Sequence, residues 1–192
     1  NSIRLKHMVK NYPIKVIQFG DGNFMRGFMD WIIDILNEKA DFNGAVQLIR
    51  PLRTTKENRT FEQDGLYHVV QRGLLNGKTL SDTRLITCVT DAINPYLDFK
   101  RFLGSSENPE LQFIFSNTTE AGILFNPQDN SVYSIPETFP GKLTLLLFHR
   151  LNFFKKDSTK GLILIPCELI EKNGDTLRGS ILHYISHWHL PD

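Results

Sequence analysis

Short apolar runs in this sequence alternate with stretches in which apolar residues recur every three or four positions. The short runs predict buried strands, which we place at residues 14–19, 45–49, 111–117 and 162–168. The period of three and four predicts a helix at residues 24–38. We place further helices at residues 94–102, where Asn94-Pro95 starts one, at residues 143–154, which are strongly apolar, and at residues 175–188, after Asn173-Gly174. Because strands and helices alternate, we expect an α/β fold in which helices cover both faces of a mostly parallel sheet.

The segment 66–90 breaks this alternation. It has strand-like runs on either side of Asn76 and Gly77, a dipeptide typical of hairpin turns. We therefore expect an antiparallel excursion, after which residues 84–89 return to the main sheet. With 192 residues, no internal repeat and no flexible linker, the chain is expected to form one domain.

Composition excludes several classes of function. Lysine plus arginine number 22 and aspartate plus glutamate 21, so no global charge favours nucleic acid or a membrane surface. No targeting segment or apolar stretch of bilayer length is visible, and we expect a soluble, cytoplasmic protein. Cys88 and Cys167 lack the spacing of a zinc site or a disulfide framework, and we interpret both as buried thiols.

A pair of glycines ends the first predicted strand, in the run VIQFGDGNFMRGF. In a strand-to-helix turn, Gly20 and Gly22 bring free backbone N–H groups to the positive end of the helix dipole. A diphosphate fits such a turn because the missing side chains let its oxygens approach the backbone. We expect a dinucleotide to be seated by Gly20, Gly22, Asn23, Phe24 and Arg26.

Two features depart from the usual dinucleotide fingerprint. The third glycine would stand at position 25, which is Met25, so a purely structural tight turn is an alternative. The acidic residue that accepts from the ribose 2′-hydroxyl is missing after the second strand, where Arg50 and Arg53 stand instead. On charge alone these arginines favour a 2′-phosphate and hence NADP, although two solvated surface arginines explain them as well.

Polar segments follow three further predicted strands, at residues 88–91, 116–120 and 166–174, and ligands of open parallel sheets lie across such strand ends. We expect the nicotinamide side to be lined by the run Ser116, Asn117, Thr118, Thr119 and Glu120. Small polar residues also cap helices and make turns, so that alternative stays open. Asn173 is the catalytic candidate, since its amide can donate to a substrate carbonyl oxygen. His183 and His187 can share a helix face as metal ligands, but an ordinary helix end is favoured, and we expect no metal.

Four separated motifs together resemble the mannitol dehydrogenase family of polyol-specific long-chain dehydrogenases. They are FGDGNFMRGF, SNTTEAGI, PGKLTLLLFHR and IPCELIEKNGDTLR, and the resemblance runs from about residue 14 to residue 190. The family has its own GxGNFxRGF form of the glycine turn, which accounts for Met25. The resemblance implies a Rossmann-like domain that binds NAD, even without the acidic residue, and an enzyme that interconverts the keto sugar acid tagaturonate and the hydroxy acid altronate.

The resemblance also implies that residues 1–192 are the amino-terminal dinucleotide-binding domain of a longer enzyme. Family members carry a second, mainly helical domain that supplies a catalytic lysine, and no counterpart of it is visible in this sequence. Lys142 and Lys172 lie in the matching motifs, but nothing in the sequence around them indicates desolvation, so we assign neither as the proton donor. The alternatives are an S-adenosylmethionine-dependent methyltransferase, which leaves SNTTEAGI and PCELIEKNG unexplained, and a non-catalytic nucleotide-binding module.

Overall fold

A parallel five-stranded sheet forms the centre of the protein, whose computed structural model describes residues 9–50 and 63–191. The strands of the described residues are β1 (Ile14–Phe19), β2 (Ala45–Ile49), β3 (Tyr67–Leu75), β4 (Lys78–Ile86), β5 (Val89–Ile93), β6 (Phe113–Ser116) and β7 (Ile163–Pro166). The main sheet has the order β5-β2-β1-β6-β7, and β3 pairs with β4 as a separate antiparallel hairpin. Both the mostly parallel sheet and the antiparallel excursion are thereby confirmed.

Helices cover both faces of this sheet. They are α1 (Asp30–Lys39), which follows a π-helical turn at Met25–Met29, α2 (Phe99–Gly104), α3 (Phe139–Phe153) and α4 (Asn173–His187). On one face, Ile33 of α1 packs in a cluster with Val16 and Val46. On the other face, residues of α2, α3 and α4 pack in a cluster with Ile17 and Ile114. The alternation of neighbouring strand residues between two apolar layers explains why the strands read as continuous apolar runs.

The return from the hairpin to the main sheet differs from the sequence prediction. Residues 84–86 are still part of β4, and the main sheet is rejoined only by β5. The apolar run is divided at Thr87, whose N–H and hydroxyl both donate to Asp34 Oδ1 at 2.9 Å. Residues 88–91 therefore lie at the amino end of β5, and the prediction that they form a carboxyl strand end is wrong.

Helix starts were misplaced where a capping side chain decides the boundary. Thr138 accepts a hydrogen bond from the N–H of Gly141, so α3 begins four residues before the predicted start at residue 143. Asp98 accepts from the N–H of Arg101 and starts α2 at Phe99, while the segment from Asn94 forms a turn. The sequence prediction thus starts α3 too late and α2 too early.

Three further sequence expectations concern the two cysteines, membrane-spanning helices and Arg53. Cys88 is buried and Cys167 half-buried, and both are free thiols. Among residues 9–50 and 63–191, none of the helices is long and apolar enough to cross a bilayer. Arg53, one of the two arginines considered after β2, lies outside the described residues.

Gly65, just before the hairpin, packs so closely against the backbone of Val89 in β5 that there is no room for a side chain. Its φ is +77°, and an added Cβ would lie 2.3 Å from the carbonyl oxygen of Val89. We expect Gly65→Ala to lower the free energy of unfolding by about 1–3 kcal/mol, measured by urea titration. Gly104→Ala is the matched control, because an alanine Cβ in that helix meets nothing within 4 Å. Equal stability of the two variants would contradict this role of Gly65.

Candidate functional site

The glycine-rich turn lies where the strand order reverses. β2 pairs with one side of β1 and β6 with the other, so the carboxyl end of β1 opens onto the crevice where ligands of this architecture bind. Gly20 has φ +96° and its N–H donates to the carbonyl of Ile49 at 3.0 Å, so the expectation that this N–H is free for a ligand is wrong. An added Cβ on Gly22 would meet nothing within 4 Å. The turn is therefore fixed to β2 on one side and open on the other.

The residues predicted beside the turn fall into an exposed and a bracing group. Asn23 is exposed, and so is Phe24, whose ring lies 5.2 Å from that of Phe28. The guanidinium of Arg26 packs over the ring of Tyr67 at 4.4 Å. The Arg26 Nε atom is buried and has no hydrogen-bond partner within the described residues. Arg26 thus ties the π-helical turn to the hairpin.

Asp30 is a buried carboxylate at the start of α1. It is fully buried, and the hydroxyl of Tyr67 donates to its Oδ2 at 2.7 Å. Burial raises the pKa of Asp30 to about 7, although the Tyr67 hydrogen bond lowers it. The π-helical turn before α1 accounts for this burial, because its wider turn shifts the helix phase and rotates Asp30 towards the core.

The segment after β6 is braced to the segment after β7. The Asn117 amide donates to the carbonyl of Cys167 at 2.6 Å, and the Thr118 N–H donates to Glu168 Oε1 at 3.0 Å. Thr119 Oγ1 accepts from the N–H of Gly122. Ser116 is buried at the end of β6, whereas Glu120 is exposed. These residues lie together at the carboxyl edge of the sheet. The Asn117 amide, the Thr118 N–H and Thr119 Oγ1, however, are engaged in hydrogen bonds within the loops.

Glu168 was missed as a candidate by sequence reasoning. Only 4% of it is exposed, and its Oε2 has no hydrogen-bond partner in the part of the chain that the structure describes. A buried carboxylate oxygen without a partner is costly, so its position beside the crevice makes it a candidate acceptor for a ligand donor. The available signal was its place at the carboxyl end of the predicted strand 162–168.

Asn173 begins α4 beside Glu168. Its Nδ2 donates to the carbonyl of Pro166 at 2.8 Å and to that of Glu168 at 3.1 Å. Both amide hydrogens are therefore used within the loop, and in this arrangement the side chain offers only Oδ1 to a ligand. A catalytic role for Asn173 stays a prediction.

Lys142 differs from the expectation that nothing desolvates it. It is fully buried in α3, its Nζ donates to the carbonyl of Glu137 at 2.7 Å, and it lies 5.0 Å from the ring of Tyr96. The sequence does not indicate this burial, because Tyr96, which contacts Lys142, lies far from it along the chain. Lys172, in contrast, is exposed with φ +53° immediately before α4.

The histidines of α4 pack against an aromatic ring. The rings of His183 and His187 lie edge-on to Phe125, at 5.6 Å and 5.3 Å. No group of three or more metal-ligating side chains is present among residues 9–50 and 63–191. The structure thus gives these histidines a packing role at the helix end.

Comparison with known proteins gives one family. A model of the mannitol dehydrogenase Rossmann domain matches residues 14–190. Similar curated relatives are the altronate oxidoreductases of Yersinia enterocolitica, 47% identical over 95% of this chain, and of Bacillus subtilis, 45% identical over 94%. The chain spans 38% of the length of each.

Two solved structures share the fold. One is D-sorbitol dehydrogenase in substrate-free form, with a TM-score of 0.76 and 19% identity over 92% of this chain. The other is Pseudomonas fluorescens mannitol 2-dehydrogenase in a ternary complex with NAD and D-mannitol, with a TM-score of 0.74 and 16% identity over 93%. The chain covers 38% of each of these proteins.

The buried carboxyl of Asp30 should make stability depend on pH. Its pKa is about 7 in the folded protein against 3.8 as the ordinary value, so the folded state binds the proton more tightly. The resulting stabilisation is fully present below about pH 4 and is lost as the pH rises through about 7. Asp30→Asn keeps an oxygen for the Tyr67 hydrogen bond and cannot ionise, so this pH dependence should disappear.

Urea unfolding between pH 4.5 and pH 8.5 measures the effect. Wild type should lose on the order of a few kcal/mol over this range, and Asp30→Asn should lose less. Asp41→Asn serves as the control, since Asp41 is exposed after α1. Parallel pH curves for wild type and Asp30→Asn would contradict the assignment.

Proposed function

The chain belongs to the mannitol dehydrogenase family, and on that premise we propose that it is the dinucleotide-binding domain of an NAD-dependent oxidoreductase. The family model covers residues 14–190, which is nearly the whole chain. The proposed reaction interconverts altronate and tagaturonate, as the name altronate oxidoreductase, or tagaturonate reductase, indicates for the relatives at 45–47% identity. Because the chain spans 38% of those relatives, we assign it one domain of the enzyme.

The observation that carries this proposal is the open glycine turn at the carboxyl end of β1. Backbone N–H groups at the start of a helix attract a diphosphate electrostatically, and the helix dipole adds to that attraction. Gly22 has free space where any larger residue would place its side chain. The turn also stands at the point of strand reversal, where a dinucleotide extends in both directions across the sheet.

The two halves of NAD would lie on opposite sides of this turn. The adenosine half belongs beside the carboxyl end of β2, and the nicotinamide half beside the ends of β6 and β7. On the nicotinamide side the chain provides the braced loops with Asn117, Thr118 and Glu168. Bound NAD supplies the hydride acceptor for oxidation of the alcohol. The residues of this chain bind it and fix its orientation.

The proton donor for carbonyl reduction is proposed to lie outside residues 1–192. Lys142 is enclosed in α3, hydrogen-bonded to a backbone carbonyl, so its ammonium serves the packing of that helix start. The side chain of Asn173 is a carboxamide, which does not give up a proton as a general acid does. Its two amide hydrogens already bond the carbonyls of Pro166 and Glu168. A second domain in the full-length enzyme is the proposed source of the general acid.

The 192-residue chain should bind NADH and should not reduce tagaturonate. The fluorescence of NADH measures its affinity for the chain. The loss of NADH absorbance on addition of tagaturonate measures turnover. Binding of S-adenosylmethionine in place of NADH would favour the methyltransferase alternative. Measurable reduction of tagaturonate by this chain would refute the assignment of the acid to another domain.

Gly22→Val should abolish NADH binding and leave the fold intact. A valine side chain would occupy the space of the diphosphate, whereas no protein atom lies within 4 Å of the added Cβ. We expect the Kd for NADH to rise by roughly a hundredfold or more, with little change in Tm. Gly179→Val in α4 is the control for valine in a helix, since that site is also free of contacts. Unchanged NADH affinity in Gly22→Val would exclude the turn as the diphosphate site.

A further inference from the structure

The carboxyl end of β2 carries an ion pair that involves the glycine turn itself. Nη2 of Arg50, the residue that follows β2, lies 3.9 Å from Oδ2 of Asp21, the residue between Gly20 and Gly22. The Arg50 side chain is 17% exposed and that of Asp21 39% exposed. The arginine is thus largely enclosed, while the carboxylate is open to a ligand.

Backbone hydrogen bonds fix this pair in place. The N–H of Gly20 donates to the carbonyl of Ile49 at 3.0 Å, and the N–H of Arg50 donates to the carbonyl of Ile93 at 2.9 Å. The turn, the end of β2 and the end of β5 are therefore joined at consecutive residues. Asp21 consequently stands at the strand end where a Rossmann-like domain meets the adenosine ribose.

We propose that Asp21 supplies the carboxylate that selects NAD over NADP, in place of the acidic residue missing after β2. Its oxygen accepts a hydrogen bond from the 2′-hydroxyl of the adenosine ribose, and Arg50 holds the carboxylate in position. This inference rests on the proposed function, since it names the coenzyme contact of the same site. It makes Asp21 a specificity residue of the chain.

The electrostatics explain why an arginine at this position does not select NADP. A 2′-phosphate carries nearly two negative charges at neutral pH and attracts a free guanidinium strongly. Here the guanidinium has an acidic partner, and the exposed carboxylate repels a phosphate that approaches it. A neutral ribose hydroxyl, in contrast, gains a charge-assisted hydrogen bond to that carboxylate.

Asp21→Asn tests the proposal through the ratio of two affinities. The substitution keeps the size of the side chain and removes the negative charge, so a 2′-phosphate that approaches Arg50 is no longer repelled. We expect the Kd for NADH to rise several-fold and the Kd for NADPH to fall, which changes their ratio by about tenfold or more. Fluorescence titration at low ionic strength measures both, because salt screens this partly exposed site.

Two further variants make the test specific. In Asp21→Asn combined with Arg50→Gln, the gain in NADPH affinity should vanish, because the guanidinium that would bind the phosphate is gone. Asp41→Asn removes the same charge from an exposed site after α1 and should leave the ratio unchanged. An unchanged ratio in Asp21→Asn, with wild type binding NADH, would overturn this inference alone. Failure of wild type to bind either coenzyme would overturn the proposed function instead.

Discussion

The hydrogen bond from Gly20 to the carbonyl of Ile49 is the constraint on which the site depends. It requires the chain to turn sharply as it leaves β1, and the φ of +96° at Gly20 is strained for any residue with a side chain. This bend also sets where the first helix starts and the direction of its dipole. The open glycine turn and the position of Asp21 both follow from that one bend.

At the opposite edge of the sheet, where the strands begin, the protein holds a charge that is largely removed from water. The guanidinium of Arg150 donates to the carbonyls of Lys160, Ser106 and Asn108 and so joins the segment before β7 to the segment before β6. Burial lowers the pKa of this arginine. Such groups are stable only when their partners are fixed, and each therefore restricts the loops around it to one arrangement.

The sequence predicted the parts of the structure that depend on local pattern. The bounds of β1 and β2 were correct to the residue, because a buried parallel strand between polar turns has a clear apolar run. The starts of α2 and α3 were missed, since single capping residues, Asp98 and Thr138, override the apolar period there. The segment 84–89 was misread because the hairpin and the sheet share one apolar run.

The candidate site was predicted less completely than the fold. The glycine turn and the polar segment after β6 were found, since both are visible as short motifs. Asp21, Glu168 and Lys142 acquire their surroundings only from contacts between distant parts of the chain. No periodicity reports such contacts, and burial of a charged residue is the opposite of what its type indicates.

The π-helical turn at Met25–Met29 also bears on how this region tolerates insertion and deletion. Removing one residue from this turn would restore a regular α-helix. The side chains of α1 would then be rotated about the helix axis by about 100°. Asp30 would then leave the core and an apolar side chain of α1 would face water. Chain length in this turn is therefore as tightly determined as residue identity, and homologous sequences should align through it without gaps.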